Sequence, residues 1–148
     1  MNLLQAGYLF YALTWLSAGA SPLRAAGTEY RFTKVQLDSC YDGDTCRFTF
    51  LGEHPLLGKN VPVRLLGIDT PEMNAHCIAE GRDAAKAQAA LEGKLRRAHR
   101  IEVRVKAKDA YGRLLGTVIA DKVNLNEWML KQGYARPYKG GSRKSWCD

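Results

Sequence analysis

The sequence predicts an α+β fold, a five-stranded, partly open β-barrel with two or three helices packed beside it, and three observations predict it. Apolar and polar residues alternate in short runs up to Ile68, the period changes to three and four from Glu80, and alternation returns before a second helical pattern. The order is therefore three strands, helix, two strands, helix. With 148 residues, 46% of them apolar, the chain is about one domain long and can bury a sizeable core, which excludes a fully disordered polypeptide.

The segment from Met1 to Ala20 comes first and carries no charge; the first charged side chain is Arg24. Its apolar run and the small residues Ser17, Ala18, Gly19 and Ala20 have the pattern of a secretory signal, with cleavage expected after Ala20 to leave Ser21 as the mature N-terminus. No Lys or Arg precedes the apolar run. Retained instead, Leu3 to Ala20 would be a short membrane anchor interrupted by Gln5. Residues 21–148 then form one domain with a core of about 30–140, since no repeat, low-complexity tract or linker divides them.

Within it, Tyr30 to Leu37 and Thr45 to Leu51 alternate, and Val61 to Ile68 is a β-branched run; Gly52 to Asn60, with Pro55 and Gly58, is the turn before that third strand. Ala84, Ala87, Leu91, Leu95 and Ala98 form the apolar stripe of a helix, with Arg82, Lys86, Lys94 and Arg97 off it. Ile101 to Val105 and Leu114 to Ala120 are two more strands joined by a turn at Lys108 to Gly112. Asn124 with Glu127 is a capping box for a helix whose inner face is Leu125, Trp128 and Met129 and whose end is Gly133. An antiparallel five-stranded sheet rolled into a partly open barrel, with helices alongside, is the OB-type solution for this order.

Four cysteines in an exported chain are expected to pair. Cys40 and Cys46 are each three residues from Gly43, so a hairpin turning there sets them opposite one another, and Cys77 with Cys147 is left to staple the C-terminal end. Four free thiols or a zinc site are the other readings. No Cys-x-x-Cys is present, and His54, His76 and His99 fit no ligand spacing with the cysteines. The net charge of +7 favours polyanionic partners.

Acidic residues cluster at two turns, Asp42-Gly43-Asp44-Thr45 and Asp69-Thr70-Pro71-Glu72. Asp44 and Asp69 offer hard carboxylate oxygens which, with the Thr70 backbone oxygen and waters, suit calcium or another hard dication. Read singly, the first is an ordinary hairpin turn and the second an ordinary strand stop. Arg64 interrupts an apolar strand and Arg113 follows a Tyr-Gly turn. Two guanidinium forks and a cation would neutralise the charge that builds on a phosphodiester under attack by water, with Glu72 as general base.

Asp42 to Thr45, Arg64 to Glu72 and Tyr111-Gly-Arg113 resemble the three signature segments of the staphylococcal nuclease (thermonuclease) family, over about Lys34 to Tyr138, and Lys144-Ser-Trp-Cys147 is similar to exported proteobacterial members. The resemblance implies a calcium-dependent hydrolase that cuts DNA and RNA to 5′-hydroxyl and 3′-phosphate ends, on an OB-type barrel. It implies catalytic Arg64, Glu72 and Arg113, metal-binding Asp44, Asp69 and the Thr70 carbonyl, Asp42 in support of them, and substrate-binding Tyr111 and Tyr138. It departs from the family type at Ala110, where a lysine is expected, and in having Tyr138 alone matched beyond the last helix. Tyr134 is a weaker candidate, and the other reading of both tyrosines is packing against Trp128. DNA and RNA are the expected partners of a periplasmic or extracellular monomer, with membrane contact only if the N-terminal segment is retained. The alternative is a secreted, non-catalytic OB-type module that binds nucleic acid, which needs basic and aromatic groups but no carboxylates beside the phosphate.

Overall fold

The computed structural model describes residues 28–147. The secretory segment and its cleavage after Ala20 lie outside the described residues. In chain order the elements are β1 (Tyr30–Phe32), β2 (Val35–Cys40), β3 (Thr45–Phe50), α1 (Pro55–Gly58), β4 (Val61–Leu65), β5 (Ile68–Asp69), α2 (Ile78–Arg96), β6 (Ile101–Lys108), β7 (Leu114–Ala120), β8 (Val123–Asn124), α3 (Leu125–Lys131) and β9 (Arg136–Pro137). No helix among the described residues is long and apolar enough to cross a membrane.

The main sheet runs β1-β6-β7-β4-β3-β2, with β8 beside β7. Its two outer strands, β1 and β2, are separated in the chain by Thr33 and Lys34 alone, so the sheet must curl until its edges approach. Phe32 of β1 stacks on Phe50 of β3, ring centroids 4.4 Å apart, across that curl. The ladder between β2 and β6 is not closed, which gives the partly open OB-type barrel.

Four details differ from the sequence expectation, and the main sheet has seven strands where five are expected, because the first is divided and β8 is added. The first strand is split into β1 and β2, each pairing with a different neighbour. The third ends at Leu65, and Ile68 and Asp69 leave it to pair with β9 in a separate two-stranded sheet. The sheet is mixed rather than antiparallel: β4 and β7 run parallel, because β5, α2 and β6 intervene and carry the chain back across the barrel. The turn expected at Gly52 to Asn60 contains the short helix α1, opened by His54, whose Nδ1 accepts from the Leu56 N–H.

The core fills the barrel and the helix contacts. Phe48, Val63, Leu65, Val103 and Val118 from the strands are fully buried, as are Ala84, Ala87, Leu91 and Leu95 on the expected stripe of α2. On α3, Leu125 and Met129 are buried and Trp128 is half-buried. Asn124 caps α3 by accepting from the Asn126 and Glu127 N–H groups. Asn126, itself buried, accepts from Val118 N–H and donates to the carbonyls of Leu66 and Gly116, so one side chain locks α3 to the crossing of β4 and β7. That crossing holds the site on one end of the barrel.

Candidate active site

The first acidic turn is a tight loop between β2 and β3. The Tyr41 and Asp42 N–H groups both donate to the Thr45 carbonyl, at 2.9 and 3.5 Å, and Asp42 Oδ1 accepts the Asp44 N–H at 2.9 Å. Asp42 thus shapes the loop that presents Asp44, in the manner of an Asx turn. Cys40 and Cys46 are register partners and form a disulfide with Cα atoms 3.9 Å apart, clamping the base of the loop. Gly43 matters here for a reason other than a sharp bend, since its φ is not in the left-handed region. A Cβ there would lie 2.7 Å from Ala87 Cβ on α2 and 2.9 Å from Thr70 Cγ2, so glycine lets the loop press against both the helix and the second acidic turn.

Asp44 is 1% exposed, and burial, reinforced by the nearby Asp42 charge, pushes its carboxyl up to about 6 against the pull of Arg64, Thr45 and Arg143. The β3–β4 register pairs Thr45 with Arg64, which brings that guanidinium beside Asp44. Arg64 Nη1 donates to Asp44 Oδ1 at 2.8 Å and Nη2 to the Ile68 carbonyl at 3.3 Å. The Tyr138 ring covers the guanidinium, with Cζ 5.8 Å from its centroid, and Arg64 is itself buried. Five N–H donors minus these two bonds leaves donors to spare for an anion.

Asp69, on β5, is 1% exposed and has a divided environment. Its Oδ2 accepts from Arg136 Nε at 3.1 Å and Trp146 Nε1 at 3.0 Å. Its Oδ1 is buried with no hydrogen-bond partner. Arg143 Nε lies 3.3 Å from that oxygen, close enough for charge attraction but without hydrogen-bond alignment. Thr70 follows directly and is buried; Glu72, about one-third exposed, pairs with Arg143 Nη1. The 72–76 loop is pinned by Glu80 of α2, a buried carboxylate that accepts from Glu72 N–H at 3.4 Å and His76 N–H at 2.8 Å.

These features fit a hard dication. A carboxylate pushed toward neutrality by burial, and a second one with a solvent-free, donor-free oxygen, are both relieved by a cation that water and the chain do not supply. Among the described residues, the three-ligand cluster within 4.8 Å is Cys77, Glu80 and Cys147. Its two sulfurs are joined in the second disulfide, Cα atoms 5.9 Å apart, so it is not a thiolate metal site. Both cysteine pairings match the sequence expectation.

Arg113 stands apart from the carboxylates. It sits at the β6–β7 hairpin, where Asp109 Oδ1 accepts the N–H groups of Tyr111 and Arg113, and Asp109 Oδ2 accepts from Arg113 Nε at 2.7 Å. Burial acts to raise Asp109, but the bonds from Arg113 outweigh it and hold the carboxyl below its usual range. Tyr111 is 86% exposed beneath the Arg113 guanidinium. Arg113, Tyr111, Thr45 and Arg143 line one cleft of about 480 Å³, and Arg143 also borders an adjoining cleft of about 580 Å³ with Asp69, Thr70 and Glu72. Arg143 therefore joins the hairpin side to the carboxylate side.

The structure brings together Asp42, Asp44, Arg64, Asp69, Thr70, Glu72 and Tyr138, with Arg113 and Tyr111 in a neighbouring cleft that Arg143 joins to that of Asp69 and Glu72. Tyr134 does not reach it and packs on Trp128, centroids 6.0 Å apart. Sequence reasoning missed Glu80, Arg136, Arg143 and the role of Trp146. Arg136 and Trp146 lie inside segments that the sequence singles out, whereas Arg143 has no distinguishing signal.

A family model described as staphylococcal nuclease homologue matches residues 62–145. Endonuclease YncB of Bacillus subtilis strain 168 is 36% identical over 112 residues, covering 72% of this chain and 48% of that protein. The SPbeta prophage-derived endonuclease YokF of the same organism is 40% identical over 109 residues, covering 69% and 33%. Endonuclease YhcR, also from that strain, is 36% identical over 110 residues, covering 69% and 9%. The chain thus spans about half or less of the length of the curated relatives it matches.

Proposed function

The chain belongs to the staphylococcal nuclease homologue family, and from that premise we propose that it is an exported, calcium-dependent endonuclease that hydrolyses phosphodiester bonds of DNA and RNA to 5′-hydroxyl and 3′-phosphate ends. The observation that carries the reading is the buried pair Asp44 and Asp69, the first with a raised carboxyl tied to Arg64, the second with an unpartnered Oδ1 in a cleft shared with Glu72, and both attracted by Arg143. A module that only bound polyanions would gain nothing from burying negative charge there. The family resemblance of the three motif segments supports calcium and the polarity of the ends.

Asp44, Asp69 and the Thr70 carbonyl would hold the cation. Calcium bound there would offset phosphate charge and favour ionisation of an adjacent water. Arg64, fixed by Asp44 and the Ile68 carbonyl, offers its remaining N–H donors to one side of the scissile phosphate. Arg113 offers its own from the neighbouring cleft, and the two forks bind more tightly as charge accumulates on phosphorus-bound oxygens. Glu72 takes the proton of the attacking water. The water oxygen forms the new P–O bond, the P–O5′ bond breaks, and the departing oxygen takes up a proton to become the 5′-hydroxyl. Before acting as base, Glu72 must leave Arg143, which substrate phosphate is suited to draw away.

Export is supported by the Met1 to Ala20 pattern and by two disulfides, which persist in oxidising compartments. Incubating the purified protein with supercoiled plasmid, single-stranded DNA and RNA, in calcium or in excess chelator, tests the activity. Cleavage of all three in calcium alone is expected; full cleavage in chelator, or binding with no cleavage, overturns the reading. N-terminal sequencing of the product recovered from its natural compartment tests export, with Ser21 expected.

A further inference from the structure

Lys144 to Cys147 are strapped across the carboxylate site, and nothing in the mechanism above uses them. Trp146 Nε1 and Arg136 Nε both donate to Asp69 Oδ2, at 3.0 and 3.1 Å. The Arg136 guanidinium lies 4.1 Å from the centroid of the Trp146 ring. Its other nitrogens donate to the Ser145 carbonyl at 2.8 Å and to the Lys144 carbonyl. Arg136 also faces Asp69 in the β5–β9 register. One guanidinium therefore grips the strap, the indole and the carboxylate at once, and the Cys77–Cys147 disulfide fixes the far end of the strap to the start of α2.

We infer that Trp146 and Arg136 are positioning residues for Asp69: by engaging Oδ2 together they stop the carboxylate from turning and reserve Oδ1 for the cation. The alternative is plain neutralisation of a buried charge. Neutralisation would be served by donors on either oxygen, and Arg143 is near enough to supply one. Instead both aligned donors fall on one oxygen and the other is left buried without a hydrogen bond. Such donors hold ligand atoms in place and raise a site's affinity, and their loss typically weakens metal binding about 10- to 100-fold. The inference rests on the calcium reading above.

Titration calorimetry with calcium alone, no nucleic acid present, tests it. Trp146→Phe keeps an aromatic face for Arg136 and deletes the N–H; calcium binding about 10-fold weaker or more is expected, with the metal-free thermal midpoint little changed. A merely structural tryptophan would lower the midpoint and leave the affinity of the folded fraction alone. The double variant Cys77→Ser with Cys147→Ser keeps every donor and frees the strap, so it should weaken calcium binding in the same direction by a smaller factor. It decides the matter if Trp146→Phe does not fold. Unchanged affinity in the folded variants overturns the positioning role and leaves the nuclease reading standing, whereas no calcium binding by the unaltered chain overturns both.

Discussion

Arg64 and Arg113 carry the same charge, yet they are held in opposite ways. Arg64 is a strand residue, buried, tied to Asp44 and to the Ile68 carbonyl, and roofed by Tyr138. Arg113 is a hairpin residue held by one local carboxylate, Asp109, next to a tyrosine that is almost wholly exposed. The first arrangement belongs to the barrel itself, because Thr45, Arg64 and Asp44 meet through strand register. The second belongs to a turn that can adjust without disturbing the core. A rigid floor facing an adaptable rim suits a substrate whose phosphates are uniform and whose bases and sugars are not.

The largest effect expected is on the floor and on chemistry alone. Glu72→Gln keeps size and removes the base, so turnover should fall about 10²- to 10⁴-fold. Because the rim is untouched, the affinity for DNA in calcium should be unchanged. Single-turnover rates beside filter binding separate the two, and a parallel loss of binding would mean that floor and rim do not divide the labour.

The two arginines sharpen the contrast directly. Both Arg64→Lys and Arg113→Lys should reduce turnover, since lysine keeps charge but loses the bidentate fork. They should part on stability. At position 64 the shorter reach of an ammonium leaves a buried acceptor unsatisfied, costing about 1–3 kcal/mol in denaturant unfolding. At position 113 the loss should be smaller, because Asp109 keeps the bonds from the Tyr111 and Arg113 backbone N–H groups when the guanidinium is replaced. Equal stability losses would show that the hairpin is held as rigidly by its own contacts as the barrel is.

How much of this was legible follows from where each signal lies. Arg64 stood out because a charge inside an apolar strand demands a partner, and Asp44 and Asp69 stood out because they crowd turns without needing to. The fold class was readable from the change of period, but the parallel meeting of β4 and β7 was not, because it depends on a crossover through α2 and β6 rather than on any local pattern. In the sequence Gly43 reads only as a turn residue, while its packing against Ala87 and Thr70 belongs to tertiary contact. Trp146 stands beside Cys147 in a recognisable terminal segment, yet its partner Asp69 is 77 residues away. Arg143, one cation in a stretch of Gly, Ser and Lys, looks like any solvated charge.

A pH experiment reads the floor alone. Asp44 is raised to about 6 in the fold from an ordinary value near 3.8, so between these limits the folded, metal-free protein binds more protons than the unfolded chain. On this group's account, metal-free stability falls as pH rises from about 4 to about 6 and is then level. Calcium affinity should run the other way. Protons compete with the cation below about 6, so the affinity should drop about tenfold per pH unit there and be flat above. Calorimetry from about pH 5 to about pH 8, a range that spans this value, checks it, and a flat profile would remove Asp44 from the cation's ligands.

The smallest effect expected lies on the rim. Tyr111 is exposed and lies under the Arg113 guanidinium, so its ring is free to stack on a base while Arg113 holds the phosphate. Stacking on an aromatic side chain contributes roughly 1–3 kcal/mol per base. A solvent-bathed ring stacked on one face belongs at the low end, so Tyr111→Ala should raise KM about fivefold with kcat and thermal midpoint unchanged. Lys86→Ala is the matched comparison, an exposed cation on α2 paired with Asp83 and remote from the clefts. It should leave KM alone and change the salt dependence of binding by at most about one unit of slope. The two variants differ in kind: loss of a stacking platform persists at high salt, whereas loss of a surface charge fades with screening. If the Tyr111→Ala defect instead disappears as salt is raised, the ring's contribution was to hold Arg113 in place, and the rim binds phosphate through charge alone.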